Sequence, residues 1–153
     1  MRQFFILAAF CIALAGCQKT NPDELILGSW ECTNEWENSG GAIKTVASND
    51  YVSSGKSTSR ADVSLIGEET VSITLMVNGL WKIVGTTLEE EVTAVSIGPV
   101  SIDGKLIPAD EATDITSWFA DMAGDVTAAE IAFFGNDRFQ TTHEGRTAEC
   151  IRQ

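Results

Sequence analysis

The feature that most constrains the fold is an alternation of apolar and polar residues that recurs in short segments along most of the chain. Within residues 26–36, Trp30 and Cys32 fall on one face of an extended chain and Glu31 falls on the other. This period-two alternation is typical of a strand that buries one face. Similar segments occupy residues 43–52, 57–65, 71–83, 92–97, 128–134, 138–142 and 146–151. The pattern predicts a mainly β protein, either a small antiparallel β-barrel or a strongly curled sheet of about eight to nine strands.

A hairpin is predicted over residues 70–84, around Asn78-Gly79, because this dipeptide is the strongest short-range hairpin signal. A two-residue loop there would turn Trp81 away from the face that carries Leu75. A three-residue loop, with Gly79 left-handed in a bulge, pairs Leu75 with Trp81 on the core face. We therefore expect a bulged turn at residues 77–79.

Residues 108–123 change from strand to helix periodicity, since their apolar residues recur at spacings of three and four. Pro108 near the start and Gly124 just past the end are typical helix boundary residues. One amphipathic helix is therefore predicted over about residues 108–123. Its aromatic residues Trp118 and Phe119 would either seal a sheet or line a ligand site.

The first residues have the layout of a cleaved export signal. Arg2 supplies a positive charge, and an unbroken apolar run covers residues 4–13. This run is too short to span a bilayer, which needs about 20 residues. We therefore expect the signal to be removed.

The sequence Leu14-Ala15-Gly16-Cys17 resembles the lipobox of bacterial lipoproteins. The resemblance implies that residues 1–16 are the signal peptide and that Cys17 carries fatty acyl chains such as palmitate. Residues 17–24 would then be a polar tether, and residues 25–153 the β domain. Because Gln18 stands where an inner-membrane lipoprotein would have aspartate, the resemblance favours the outer membrane, with the domain facing the periplasm.

The chain has four cysteines, of which two would remain as free thiols after export. Cys11 leaves with the signal and Cys17 is acylated, so Cys32 and Cys150 remain. An even remainder in an oxidising compartment predicts one disulfide between the first strand and the last. A metal site is the alternative, but the sequence has no C-x-x-C motif and a single histidine.

The chain is strongly acidic, with 22 Asp and Glu against 10 Lys and Arg and a formal net charge of −12. Such a surface repels nucleic acid phosphates and anionic headgroups, so neither is a predicted partner. The run Glu89-Glu90-Glu91 could suggest a cation site. Because consecutive strand residues point to opposite faces, we interpret it as solvated charge at an edge or loop.

The segment Gly28-Ser29-Trp30 at the first strand, with the later Gly79-Leu80-Trp81, resembles the lipocalin-like (calycin-type) domains of bacterial lipoproteins. In that family a G-x-W tryptophan plugs one end of the barrel, so the resemblance gives Trp30 this role. The chain lacks the second and third lipocalin motifs. Its predicted helix also precedes a terminal hairpin and strand, whereas a lipocalin helix follows the eighth strand.

No catalytic constellation, metal site or cofactor motif appears in the sequence. His143 is the only histidine, and nothing beside it supplies a nucleophile and an orienting partner. Motifs such as G-x-S-x-G, H-E-x-x-H and a phosphate loop are missing. We therefore do not expect an enzyme.

The expected function is a non-enzymatic binding module, anchored in the cell envelope by lipid, that takes a small apolar ligand or an envelope protein partner. The residues that would face a ligand, or simply form the core, are Trp30, Trp81, Trp118 and Phe119. The alternative is a periplasmic inhibitor of a basic hydrolase, such as lysozyme or a protease, because an acidic surface complements a basic enzyme.

Overall fold

The structure is a computed structural model that describes residues 21–38 and 40–153, without the side chains of Asn38 and Trp118. The predicted signal peptide (residues 1–16) and the predicted lipid attachment at Cys17 lie outside the described residues. Both stay predictions.

The described chain consists of nine strands and two short helices. The strands are β1 (Gly28–Asn38), β2 (Gly41–Val52), β3 (Lys56–Ile66), β4 (Thr70–Val84), β5 (Thr87–Ile102), β6 (Lys105–Leu106), β7 (Val126–Phe133), β8 (Arg138–His143) and β9 (Arg146–Arg152). The helices are α1 (Pro22–Leu25), within which the last part of the predicted tether falls, and α2 (Thr113–Ala120).

The strands form a closed antiparallel barrel. Their order in the nine-stranded sheet is β4-β3-β2-β1-β9-β8-β7-β5-β6, and β4 also pairs with β5. That additional pairing closes a ring of eight strands, with β6 attached to β5 outside the ring. Closure removes the exposed sheet edges on which other chains could pair. The predicted β-barrel is confirmed.

The disulfide links the first strand of the barrel to the last. Cys32 of β1 lies directly opposite Cys150 of β9, with their Cα atoms 4.0 Å apart. These two strands are direct neighbours in the closed ring. The predicted bridge is confirmed.

The predicted turn at residues 77–79 is wrong, because Asn78-Gly79 lies inside β4, which runs unbroken from Thr70 to Val84. Gly79 is required there by a close approach of β5: a Cβ atom at Gly79 would lie 2.8 Å from the carbonyl oxygen of Glu91. The register between β4 and β5 shifts at this point, so a bulge exists, but in a strand interior. The hairpin turn instead follows β4 and contains Gly85, whose φ is +65°.

The predicted helix over residues 108–123 is too long, since α2 covers only Thr113–Ala120. Its flanks are turns, at residues 109–112 and 121–124. Ala112 occupies the N-cap position and makes no side-chain capping bond. The segment before it forms a turn, in which the Ala112 N–H donates to the carbonyl of Pro108 at 3.0 Å. At the other end, Gly124 has a φ of +95° and donates its N–H to the carbonyl of Val92, 2.7 Å away.

Two groups of buried apolar residues fill the barrel. The Trp30 cluster comprises Ile26, Trp30, Cys32, Tyr51, Trp81, Leu88, Ile131, Phe139 and Cys150. The α2 cluster comprises Ala47, Ala61, Val63, Ile73, Leu75, Val100 and Ala112, with Ile115 and Phe119 of α2 packed against it. Along β4, Trp81 belongs to the first cluster and Leu75 to the second, so the two clusters succeed one another along the barrel.

Candidate functional site

One end of the barrel is sealed around Trp30. This side chain is fully buried, and its indole N–H donates to the carbonyl oxygen of Ile26, 2.6 Å away. The Phe139 ring meets it edge-on, with centroids 4.6 Å apart, and the Arg152 guanidinium lies 4.1 Å from its ring centre. The structure thus places Trp30 in the core.

Arg152 stabilises the sealed end of the barrel by donating three hydrogen bonds to backbone carbonyls. Its Nη2 and Nη1 donate to the carbonyls of Leu25 and Leu27, each at 2.7 Å, and its Nε donates to that of Asn136 at 2.6 Å. Leu25 is the last residue of α1, and Leu27 lies between α1 and β1. Arg152 of β9 therefore binds the segment that joins α1 to β1. In the sequence, the signal for Arg152 is that it continues the face of Ala148 and Cys150 by two residues.

Trp81 also belongs to the sealed half of the barrel. Its indole N–H is shared between the carbonyl oxygens of Lys56, at 3.0 Å, and Val52, at 3.2 Å. The ring meets that of Tyr51 nearly at a right angle, with centroids 5.8 Å apart. Trp81 is therefore a core residue that fixes the turn between β2 and β3.

The opposite half holds a cavity of about 870 Å³, which we call the apolar cavity. Its lining is mostly aliphatic and comes from β2, β3, β4 and the α2 segment, including Ile43, Val63, Leu65, Val71, Leu75 and Phe119. Glu68 and Glu69, in the turn between β3 and β4, are its charged lining residues. Of the predicted aromatics, Phe119 thus lines the apolar cavity. The backbone of Trp118 belongs to α2, and its side chain lies outside the described residues.

A smaller, polar cavity of about 210 Å³ lies between the two clusters. The polar residues that line it are Asn49 and Tyr51 of β2, Ser57, Thr58 and Ser59 of β3, Glu90 and Glu91 of β5 and Thr127 of β7. Val77 of β4 lines both this polar cavity and the apolar cavity. The barrel interior therefore changes from apolar to polar with depth.

A partly buried carboxyl group, that of Glu90, lies in the polar cavity. The Tyr51 hydroxyl donates to Oε1 of Glu90 at 3.0 Å. Burial raises the pKa of Glu90 from its ordinary value of 4.5, and the hydrogen bond from Tyr51 opposes this shift. Burial likewise raises the pKa of Tyr51 well above 10.0, and the nearby charge of Glu90 adds to the effect. At neutral pH the tyrosine is therefore a neutral donor.

The interpretation of Glu89-Glu90-Glu91 as solvated charge is wrong for Glu90. It lies opposite Trp81 in the β4–β5 pairing and shares its face with Leu88 and Val92. Glu89, on the other face, pairs with Lys82, with 2.6 Å between Nζ and Oε2. The signal that could have identified Glu90 is its position between apolar residues at i−2 and i+2.

The neighbours of the His143 ring are a backbone carbonyl and a carboxylate. Its Nδ1 lies 2.9 Å from the carbonyl oxygen of Ala128, and its Nε2 lies 4.0 Å from the Glu144 carboxylate. Within residues 21–38 and 40–153, no three metal-ligating side chains gather into a group that could hold an ion. The same residues contain no helix of the length and apolarity needed to cross a membrane.

No protein-family model matches the chain, and a search of the curated proteins finds no match either. Fold and site alone therefore define the class: a closed eight-stranded antiparallel β-barrel, sealed at one end and hollow towards α2. This architecture is consistent with the lipocalin-like barrel that Gly28-Ser29-Trp30 implies.

Proposed function

We propose that this barrel is a non-enzymatic binding module that takes a small, largely apolar ligand into the apolar cavity. One observation carries the proposal: a cavity of about 870 Å³ with an aliphatic lining occupies the α2 half of the barrel. Small-molecule sites have volumes of about 300–1,000 Å³ and are lined mostly by apolar side chains with a few polar groups. The cavity meets both criteria.

The driving force would be the removal of apolar surface from water, at about 25 cal/mol per Å². The sealed end supports this role, because the Trp30 cluster and Arg152 hold the barrel closed without contributing to the cavity. On the other side, Phe119 and Met122 of the α2 segment line the cavity. A ligand would therefore lie between the barrel wall and α2.

Membrane attachment is part of the proposal, and its support is the sequence Leu14-Ala15-Gly16-Cys17. Two or three acyl chains on Cys17 would hold the domain at the membrane essentially permanently, at the outer membrane facing the periplasm. Mass spectrometry of the protein from a bacterial envelope tests this. We expect a chain that begins at acylated Cys17, and an unmodified N-terminus would contradict the anchor.

Ligand binding is tested by displacement of a fluorescent apolar probe from the full chain, with 1-dodecanol as competitor. Ala61 lines the apolar cavity and is buried, so Ala61→Leu should fill part of the cavity and weaken binding. The matched control is Ala132→Leu, at an exposed position of β7. Thermal unfolding establishes that both variants are folded. Equal binding by both variants, or no binding by the unsubstituted chain, would overturn the proposal.

A further inference from the structure

The interior of the barrel has a polarity gradient along neighbouring strands. On β3, the inward positions Ser57 and Ser59 line the polar cavity, and the next inward positions, Ala61 and Val63, line the apolar cavity. Since successive inward residues are about 6.6–6.8 Å apart along a strand, the polar cavity begins one pleat deeper than the apolar cavity. A ligand that entered from the α2 side would meet polar groups at its inner end.

Glu90 is an interior acid that lacks a cationic partner. In the described chain its carboxylate accepts one side-chain hydrogen bond, from Tyr51, and forms no ion pair with Lys or Arg. A buried carboxylate is costly unless it is paired and hydrogen-bonded. A cationic group in the polar cavity would supply the missing partner.

The other groups around the polar cavity are suited to a donor-rich cation. The serine hydroxyls of Ser57 and Ser59 and the threonine hydroxyl of Thr127 can all accept hydrogen bonds. The Asn49 amide nitrogen donates to Sγ of Cys32 at 3.2 Å, which directs that nitrogen towards the disulfide. An ammonium group carries three donors and no acceptor, so it matches a cavity rich in acceptors.

The charge near the apolar cavity has the same sign. Glu68 and Glu69 line this cavity, and the chain has a formal net charge of −12. Such a field attracts a cationic ligand and repels a carboxylate. The charges of Glu68 and Glu69 and that of Glu90 therefore all favour a cationic ligand and disfavour fatty acids.

We propose that the ligand is a cationic amphiphile, with its alkyl chain in the apolar cavity and its ammonium head bound by Glu90 and Tyr51 in the polar cavity. This inference rests on the proposed function, because it assigns the head group of the same ligand. It identifies Glu90 as the residue that determines head-group specificity.

The test compares three head groups on one alkyl chain: dodecylammonium, 1-dodecanol and dodecanoate, each kept below its micelle concentration. Displacement of the fluorescent probe from the full chain gives each affinity. We expect dodecylammonium to bind about tenfold more tightly than 1-dodecanol, because a hydrogen bond between two charged groups is stronger than one that a neutral hydroxyl makes. Dodecanoate should bind most weakly.

Two variants with the same change in charge distinguish binding of the ammonium group at Glu90 from attraction by the overall negative charge of the protein. Glu90→Gln should remove the preference for dodecylammonium. It should change the affinity for 1-dodecanol by no more than about twofold, because the contacts of the alkyl chain in the apolar cavity are kept. Glu130→Gln, at an exposed position of β7, should retain the preference. If both variants keep it, the ammonium group binds elsewhere and the inference is overturned.

A measurement on the unsubstituted chain covers the case in which Glu90→Gln does not fold. The side-chain carboxyl carbon of Glu90 should shift in the ¹³C NMR spectrum with dodecylammonium and stay in place with 1-dodecanol. If 1-dodecanol binds and all three head groups are equivalent, the inference fails and the proposed function stands. If none of the three compounds binds, the proposed function fails as well.

Discussion

Among single residues, Arg152 and Trp30 do the most to hold the sealed end of the barrel together. The arginine stacks on the indole and donates to three backbone carbonyls in two separate segments, the one at the end of α1 and the turn between β7 and β8. Charged donors of this kind are stronger than neutral ones, and each carbonyl would otherwise be left without this partner. One side chain on the last strand thus fixes the segment that precedes the first.

Arg152→Met should lower the free energy of unfolding by about 2–3 kcal/mol, because it removes charge-assisted hydrogen bonds and retains an apolar stem. Urea unfolding measures the loss. Arg138→Met is the matched control, since Arg138 is exposed and lies 5.1 Å above the Phe134 ring. A loss no larger than that of the control would contradict the role given to Arg152.

Glu90 makes stability depend on pH. Its pKa in the folded protein is raised by burial, so the folded state holds this proton more tightly than the unfolded state does. The resulting stability is complete below the unfolded pKa and is lost as pH rises through the folded pKa. Tyr51 faces Glu90 and stays neutral over this range. Among the other polar residues that line the cavity, Glu91 carries a second carboxyl group at an exposed position, and Asn49, Ser57, Thr58, Ser59 and Thr127 have no ionisable side chain.

Replacing Glu90 with glutamine removes this ionisation, so Glu90→Gln should gain stability relative to the unsubstituted chain as pH rises from 4 to 7. Thermal unfolding of both proteins over that range gives the difference. Glu130→Gln, which makes the same change in charge at an exposed position of β7, is the control. A Glu90→Gln difference that is flat or falls with pH would show that the carboxyl group is not desolvated.

At the scale of secondary structure elements, the sequence predicted the strands well and their connections less well. Alternation in β1 placed Trp30, Cys32 and the disulfide on the inner face, and the structure agrees. In β4 the alternation also continues unbroken, since Leu75 and Trp81 both occupy odd positions. The same parity fits both a bulged turn at residues 77–79 and a continuous strand, and the pairing of β4 with β3 and β5 overrides the local turn preference of Asn78-Gly79.

The polar interior was harder to predict, for a physical reason. The inward position of Glu90 follows from alternation, but an ionisable residue at an inward position normally indicates an error of register. Only the packing of Tyr51 from a distant strand shows that the carboxyl group has a partner. Likewise, the length of α2 depends on the turns that join it to β5 and β7, and helical spacing alone does not reveal them.

The strand assignment of residues 78 and 79 has a direct test. Gly79→Ala should cost about 1–3 kcal/mol, because the added methyl group meets the backbone of β5. Asn78→Ala should stay within about 0.5 kcal/mol, since the Asn78 side chain is exposed on a strand. In a tight turn with both residues left-handed, the Asn78 substitution would also be costly. A large loss for both variants would contradict the continuous strand.

For the molecule as a whole, closure by the Cys32–Cys150 bridge matters because the bridge spans 118 residues of chain. In the chain-entropy model, a loop of this size stabilises the fold by about 4–5 kcal/mol through the unfolded state. Urea unfolding with and without reductant should show a loss of about 2–5 kcal/mol. A change below about 1 kcal/mol would mean that the pairing of β1 with β9 holds the barrel closed without the bridge.

The most direct test of a hollow, ligand-binding barrel is an NMR titration of the full chain with 1-dodecanol. The account predicts shifts and intermolecular contacts confined to the apolar cavity, at methyl groups such as those of Val63 and Leu75 and at the Phe119 ring. The core around Trp30 and Phe139 should be unaffected, as should exposed Val84 and Ile151. Contacts on the outer face of the barrel, or none at all, would contradict the account.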